Sequence, residues 1–199
     1  MTVLKAVSLA LINSLAVVLP ISAQTPAAGN PAVAAPDTPG AENGSPGPHA
    51  NTADQTFIRE VSLGGRAEVD AGHLAGQRGS SSEVKEFARR MVADHSKGNE
   101  SLTPLAKSYG VPLPKELDMD HQVMKGQLSK LQGAAFDKAY LQAQVIDHQK
   151  TAQLLEYEIG AGQSERVKAY AGSMLPTVLD HLEHAQHLMA QLFGTTNRD

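Results

Sequence analysis

From residue 54 onward, apolar side chains return every three or four positions in four long stretches, the period of a helix with one buried face. The first stretch, about 54–78, puts Phe57, Val61, Gly64, Glu68, Ala71 and Ala75 on one stripe. The second starts near Ser82 and aligns Val84, Phe87, Ala88, Met91, His95 and Leu102; Pro104 is expected to kink or end it. The third, about 135–159, aligns Leu141, Val145, His148, Ala152, Leu155 and Ile159. The fourth, 165–193, aligns Val167, Ala171, Met174, Val178, His181, Ala185 and Leu188, with Pro176 inside it expected to free the carbonyl of Gly172. No segment alternates with period two, so no strand is expected.

The chain repeats itself. Residues 79–91 and 162–174 share the pattern G-x-S-x-x-V-K-x-[FY]-A-x-x-M. Each copy reads as a helix-to-helix turn. Gly79 and Gly162 close one helix, and Ser81 and Ser164 cap the next; Ser80 with Glu83 offers an alternative capping frame. Between the second and third helices lie about two dozen residues, with a short helix expected over 120–131, too long a link for a tight hairpin. The expected fold is all-α: a ferritin-like four-helix bundle made of two helical hairpins joined by a long crossover with a short extra helix.

The residues before the bundle have a different character. Residues 1–23 carry a short positive start, an apolar run to Pro20 and small residues at Ile21-Ser22-Ala23, the layout of a signal peptide. Residues 24–51 are rich in Ala, Pro and Gly and are expected to be a disordered linker. Residues 52–199 then form the bundle domain. The protein is expected to be exported, periplasmic or associated with the outer envelope. The chain has no cysteine, which excludes disulfides and thiolate chemistry. Net charge is -4, and no basic face with interleaved aromatics suggests nucleic acid as a partner. After residue 23 no segment is apolar enough to span a membrane, although the linker leaves membrane proximity open.

Four of the eight histidines directly follow an aspartate, at Asp94-His95, Asp120-His121, Asp147-His148 and Asp180-His181. Three of these imidazoles fall on the apolar stripes, where each needs a carboxylate, another imidazole or a metal ion as partner. With both tight turns placed at the same end of the bundle, His95 and His148 come out level, about 22 Å from the turns at 1.5 Å per residue. Glu68 then lies about one turn nearer that end, His181 about one turn farther, and Glu60 level with His181. The candidate metal ligands are therefore Glu68, His95, His148 and His181, with Glu60 and His184 behind them. A mixed imidazole and carboxylate set suits zinc, iron, manganese or copper better than calcium. In the competing reading the same groups form a structural polar layer that fixes helix register. Each aspartate points about 100° away from its own histidine, so it can reach only a neighbouring helix. His73, His187, Glu156 and Glu158 are expected on solvated faces.

Four runs carry a family resemblance: FIREVSLGGRAEVDAGHLA from Phe57, VKEFARRMVADH from Val84, GAAFDKAYLQAQVIDH from Gly133 and MLPTVLDHLEHAQHL from Met174. Together they resemble an exported bacterial family known as domain of unknown function 4142, whose members are often labelled membrane or outer-membrane proteins. The resemblance implies a ferritin-like bundle behind a signal peptide and no established activity. Its recurring Glu and His positions fall on Glu68, His95, His148 and His181. True di-iron ferritin-like enzymes use a Glu from each of two helices and Glu-x-x-His from the other two. Here the second and third helices offer Asp-His instead, which speaks against an oxygen-activating di-iron centre. The leading expectation is an envelope protein that binds zinc, copper or iron through this layer. Next comes an interaction protein of the envelope or of stress responses, with a purely structural layer and a protein partner. A redox enzyme with a degenerate two-metal site is third; no residue is assigned as catalytic.

Overall fold

The computed structural model describes residues 50–194. The expected signal segment and nearly all of the expected linker lie outside the described residues. Five helices follow in order: α1 Thr52–Arg78, α2 Ser82–Ser108, α3 Met119–Leu128, α4 Gly133–Ala161 and α5 Glu165–Phe193. No strand occurs among the described residues. Pro104 and Pro176 sit inside α2 and α5 without ending them. Both prolines, and the residues Glu100 and Gly172 whose carbonyls they leave free, are exposed, so water can take the lost bonds.

Both predicted turns form, and each is held by an aspartate from the other hairpin. Ser81 and Ser164 accept from the backbone N–H of Val84 and Val167 at 3.2 and 3.3 Å. Ser80 takes no part in a capping box. Its N–H and hydroxyl instead donate to Asp137 of α4, as does the N–H of Ser81 at 2.9 Å. The mirror arrangement holds the second turn, where the N–H groups of Gln163 and Ser164 donate to Asp54 of α1, each at 3.1 Å. Gly79 is needed for space and not for a left-handed backbone: its φ is -67°, and a Cβ there would lie 2.7 Å from Asp137 Oδ1.

These bonds place the two turns at opposite ends, which corrects the same-end premise. The start of α1 lies at the α4/α5 turn and the start of α4 at the α1/α2 turn. The crossover through α3 carries the chain back along the bundle, so α2 and α4 run parallel on the diagonal and every adjacent pair is antiparallel. This is the ferritin-like order that the long crossover predicts. The internal repeat now extends over whole hairpins, each residue being matched by one 83 positions on. Asp54 matches Asp137, Phe57 matches Tyr140, and Phe87 matches Tyr170. The ring pairs follow the same symmetry, with Phe57 on Tyr170 and Phe87 on Tyr140 at centroid distances of 6.4 and 6.2 Å.

The core is two apolar clusters, not one. Phe57, Ile58, Leu102, Leu155 and Val178 build the half towards the α4/α5 turn. Phe87, Met91, Phe136, Tyr140 and Leu188 build the other. Between them lies a polar layer of buried histidines. Glu158, expected in solvent, is instead buried at the end of α4, because the α4/α5 turn and the start of α1 close over it. Beside Asp54 its carboxyl is pushed up to about 7, first by burial and then by the neighbouring carboxylate.

Candidate metal centre

The polar layer is a triangle of imidazoles. His95 from α2, His148 from α4 and His181 from α5 have ring centroids 5.4 Å apart in all three pairs. Each can turn a nitrogen inward such that these atoms lie within 4.8 Å of one another. His95 Nε2 and His148 Nε2 are already 3.4 Å apart. Exposures of 6, 1 and 0 % put all three inside the bundle.

They meet because each lies near the middle of its helix. Measured from the α1/α2 end at 1.5 Å per residue, His95, His148 and His181 come at about 20, 22 and 18 Å. A mid-helix position has nearly the same depth from either end, so the three rings share a level even with the turns at opposite ends. The aromatic wall above the triangle comes from Phe87, whose ring meets His181 edge-on at 6.3 Å.

Hydrogen bonds select the tautomers. His148 Nδ1 is 3.0 Å from the carbonyl of Gln144, one turn back on α4, so Nδ1–H donates there and Nε2 keeps its lone pair. His181 Nε2 is 2.9 Å from Asp94 Oδ2, so Nε2–H donates to the carboxylate. Its Nδ1 is left buried with no hydrogen-bond partner. Asp94 thus serves the histidine of another helix and not its own neighbour His95. Arg90 holds Asp94 at 3.4 Å and also pairs with Asp180. Histidines that bind metals commonly donate their second N–H in this manner, to a carboxylate or to a backbone carbonyl.

Burial keeps the rings neutral. It is the main cause pushing His95 well below the usual histidine range, His148 down to about 4, and His181 down as well. The neighbouring imidazoles add to the shift of His95 and His148, whereas Asp94 opposes that of His181. The result is three neutral imidazoles, each able to offer a nitrogen lone pair to an ion, a donor set for a borderline or soft transition metal and a poor one for calcium or magnesium.

The other sequence candidates stand apart from the triangle. Glu68 is buried behind His148, its Oε1 3.7 Å from Nδ1, with Oε2 unpartnered. Burial, reinforced by Asp147, raises its carboxyl to about 8, so it is largely protonated at neutral pH. Glu60 is exposed, eight residues before Glu68 and turned about 80° from it. His184 is half-buried and faces the Phe87 ring at 5.1 Å, about 60° round the helix from His181. His73 and His187 are exposed, as expected. Sequence reasoning missed Gln144, whose side-chain amide is also buried without a partner. Its signal was a polar residue at the stripe position one turn before His148.

The fold is shared with other helical bundles. The chain is similar to a DUF305 fragment from Deinococcus radiodurans with a TM-score of 0.65 and 13% identity, covering 72% of this chain and 99% of that one. It is similar to CopM in its Cu(I)-bound form with a TM-score of 0.60 and 16% identity, covering 71% and 98%. CopM in an Ag-bound form, from co-crystallization, gives 0.59 and 17% over 71% and 98%. At such identities the likeness is one of fold. A comparison with curated proteins gave no match. The family model for a domain of unknown function, DUF4142, matches residues 39–188, and the protein belongs to the DUF4142 family.

Proposed function

We propose that this protein is an exported metal-binding protein that holds one transition-metal ion between His95, His148 and His181. The observation that carries this reading is the convergence of three buried, neutral imidazoles, two of which have their outward N–H groups already engaged. An ion with metal–nitrogen bonds of about 2.0–2.1 Å needs its nitrogens about 3.3–3.6 Å apart. The His95–His148 separation of 3.4 Å meets that, and His181 offers its nitrogen within 4.8 Å of both. A purely structural layer would pair its polar atoms, yet His181 Nδ1 and Glu68 Oε2 have no partner.

Copper is the first candidate, zinc and iron the next. Three neutral nitrogens with no carboxylate among them favour copper or zinc over iron. The Cu- and Ag-bound forms of the fold relative CopM make copper the first ion to try. Glu68 supports His148 from outside the donor set, whereas Glu60 and His184 take no part in it. Binding, and not turnover, is the function proposed.

Elemental analysis of the untagged protein, followed by calorimetric titration with Cu(I), Zn(II) and Fe(II), tests the reading. Near-stoichiometric binding that disappears in a folded His148→Ala variant is the expected result. No titratable site in the wild type would reduce the triangle to a structural layer.

A further inference from the structure

An ion bound at the triangle must cross the wall of the bundle. We propose that it enters through the acidic cleft under α3 and passes α1 at Gly64. This inference rests on the metal-binding reading above.

The cleft, about 730 Å³, lies between α1, α3 and α4. Its wall carries Glu60, Asp118, Asp120 and Asp147, with Lys150 and His121 as the basic groups, a balance that draws cations. A second, inner cavity of about 30 Å³, room for a single water, is lined by His95 and Glu68. His95 is the most accessible of the three imidazoles. Cleft and cavity share Glu60, Gly64, Glu68, Thr151 and Leu154 as common wall. Glu68, nine-tenths buried and with its Oε2 unpartnered, stands at the inner side of both.

Gly64 is the informative residue. A glycine inside a helix weakens it relative to alanine. Like Gly76, Gly126, Gly160 and Gly172, Gly64 has neither a left-handed backbone nor crowding to account for it, since a Cβ there would meet nothing within 4 Å, but of these five it alone lines both cleft and cavity. Any larger side chain would add bulk at the wall that cleft and cavity share. The inner cavity also has an origin in the repeat. The positions that match His148, His181 and His95 in the opposite half are Gly65, Gly98 and Val178, and all three line it. Where one half of the bundle carries imidazoles, the other keeps small or apolar residues; Asn99 and Met174 pack over Gly65 and Gly98, and the small inner cavity is the space that remains beside the site. The other approach, over Asp94 and Asp180, is bridged by the guanidinium of Arg90, which pairs with both carboxylates and ties them up.

The test measures loading rates by stopped flow with Cu(I) supplied from a weak chelator, and with Zn(II) alone. Gly64→Leu should load at least tenfold more slowly with an equilibrium affinity within about twofold of wild type. Should Gly64→Leu not fold, the surface pair Glu60→Lys/Asp120→Lys provides the second arm. It should slow loading several-fold at low salt, with the difference shrinking as salt is added. Asp180→Lys on the far side should leave the rate unchanged. Wild-type rates in the Glu60/Asp120 pair, or in a folded Gly64→Leu, would overturn the route while leaving the metal site standing. A wild type that binds neither ion would remove the site itself, and the route with it.

Discussion

His95 Nε2 and His148 Nε2 stand 3.4 Å apart, although their residues sit on the two helices that are diagonal in the bundle. With His148 Nδ1–H donated to the Gln144 carbonyl, the His148 Nε2 faces its neighbour as a lone pair. At most one proton fits between the two nitrogens, and burial holds both rings away from the charged state. A metal cation satisfies both lone pairs at once.

Metal binding to the folded state alone stabilises it by about 2.7 kcal/mol at a free concentration one hundred times Kd. The urea midpoint of wild type should therefore rise on addition of Cu(I) or Zn(II), and that of His148→Ala should not. An equal rise in both would place the ion elsewhere.

Acid should destabilise the metal-free protein in a definite window. The unfolded histidines titrate near 6.5, whereas the folded ones titrate lower, His148 at about 4. Above 6.5 both states are neutral and stability is flat. As pH falls below 6.5 the unfolded chain takes up protons that the folded chain refuses, and stability is lost until the folded pKa is passed. Each ring contributes up to about 1.4 kcal/mol for every pH unit that separates its folded and unfolded titrations. Denaturant midpoints between pH 7 and 4.5 should fall more steeply for wild type than for His95→Gln. Parallel curves would show that the triangle does not titrate as a buried unit.

Glu158 gives the opposite sign. Its carboxyl is raised from 4.5 to about 7, so the buried group costs stability as pH climbs through that range and the unfolded chain ionises first. Glu158→Gln keeps the shape without the charge. It should stabilise the protein by about 1–3 kcal/mol at pH 8 and change little at pH 4. Destabilisation at pH 8 would mean that the ionised carboxylate has a partner there.

Asp137 accepts from both backbone N–H groups and one hydroxyl at the α1/α2 turn. Asp137→Ala should cost about 2–4 kcal/mol, since three donors lose a charged acceptor together. Asp54→Ala, which strands two N–H groups at the other turn, should cost less in the same urea titration. The reverse order would disprove this account of how the hairpins are locked.

Much of the bundle was legible in local pattern. Val84, Phe87, Met91 and His95 are buried along α2 as their spacing demands, and α5 starts and ends at the residues read from the sequence. Helical period, serine caps and prolines act within a few residues of chain, so they can be read without knowing the partner helix. The convergence of His95, His148 and His181 was foreseeable because mid-helix residues share a level in any packing of equally long helices.

The sequence by itself determined the five helices, the buried stripes, the duplicated turn and the three imidazoles facing inward. Tertiary structure alone decided that the two turns lie at opposite ends, that Asp94 reaches His181 on another helix, that Glu60 faces solvent and that Glu158 is buried. Each of those depends on the rotation and pairing of helices whose contacting residues lie dozens of positions apart, such as Asp54 with Ser164. Helical periodicity says which face is buried. Only packing says what that face meets.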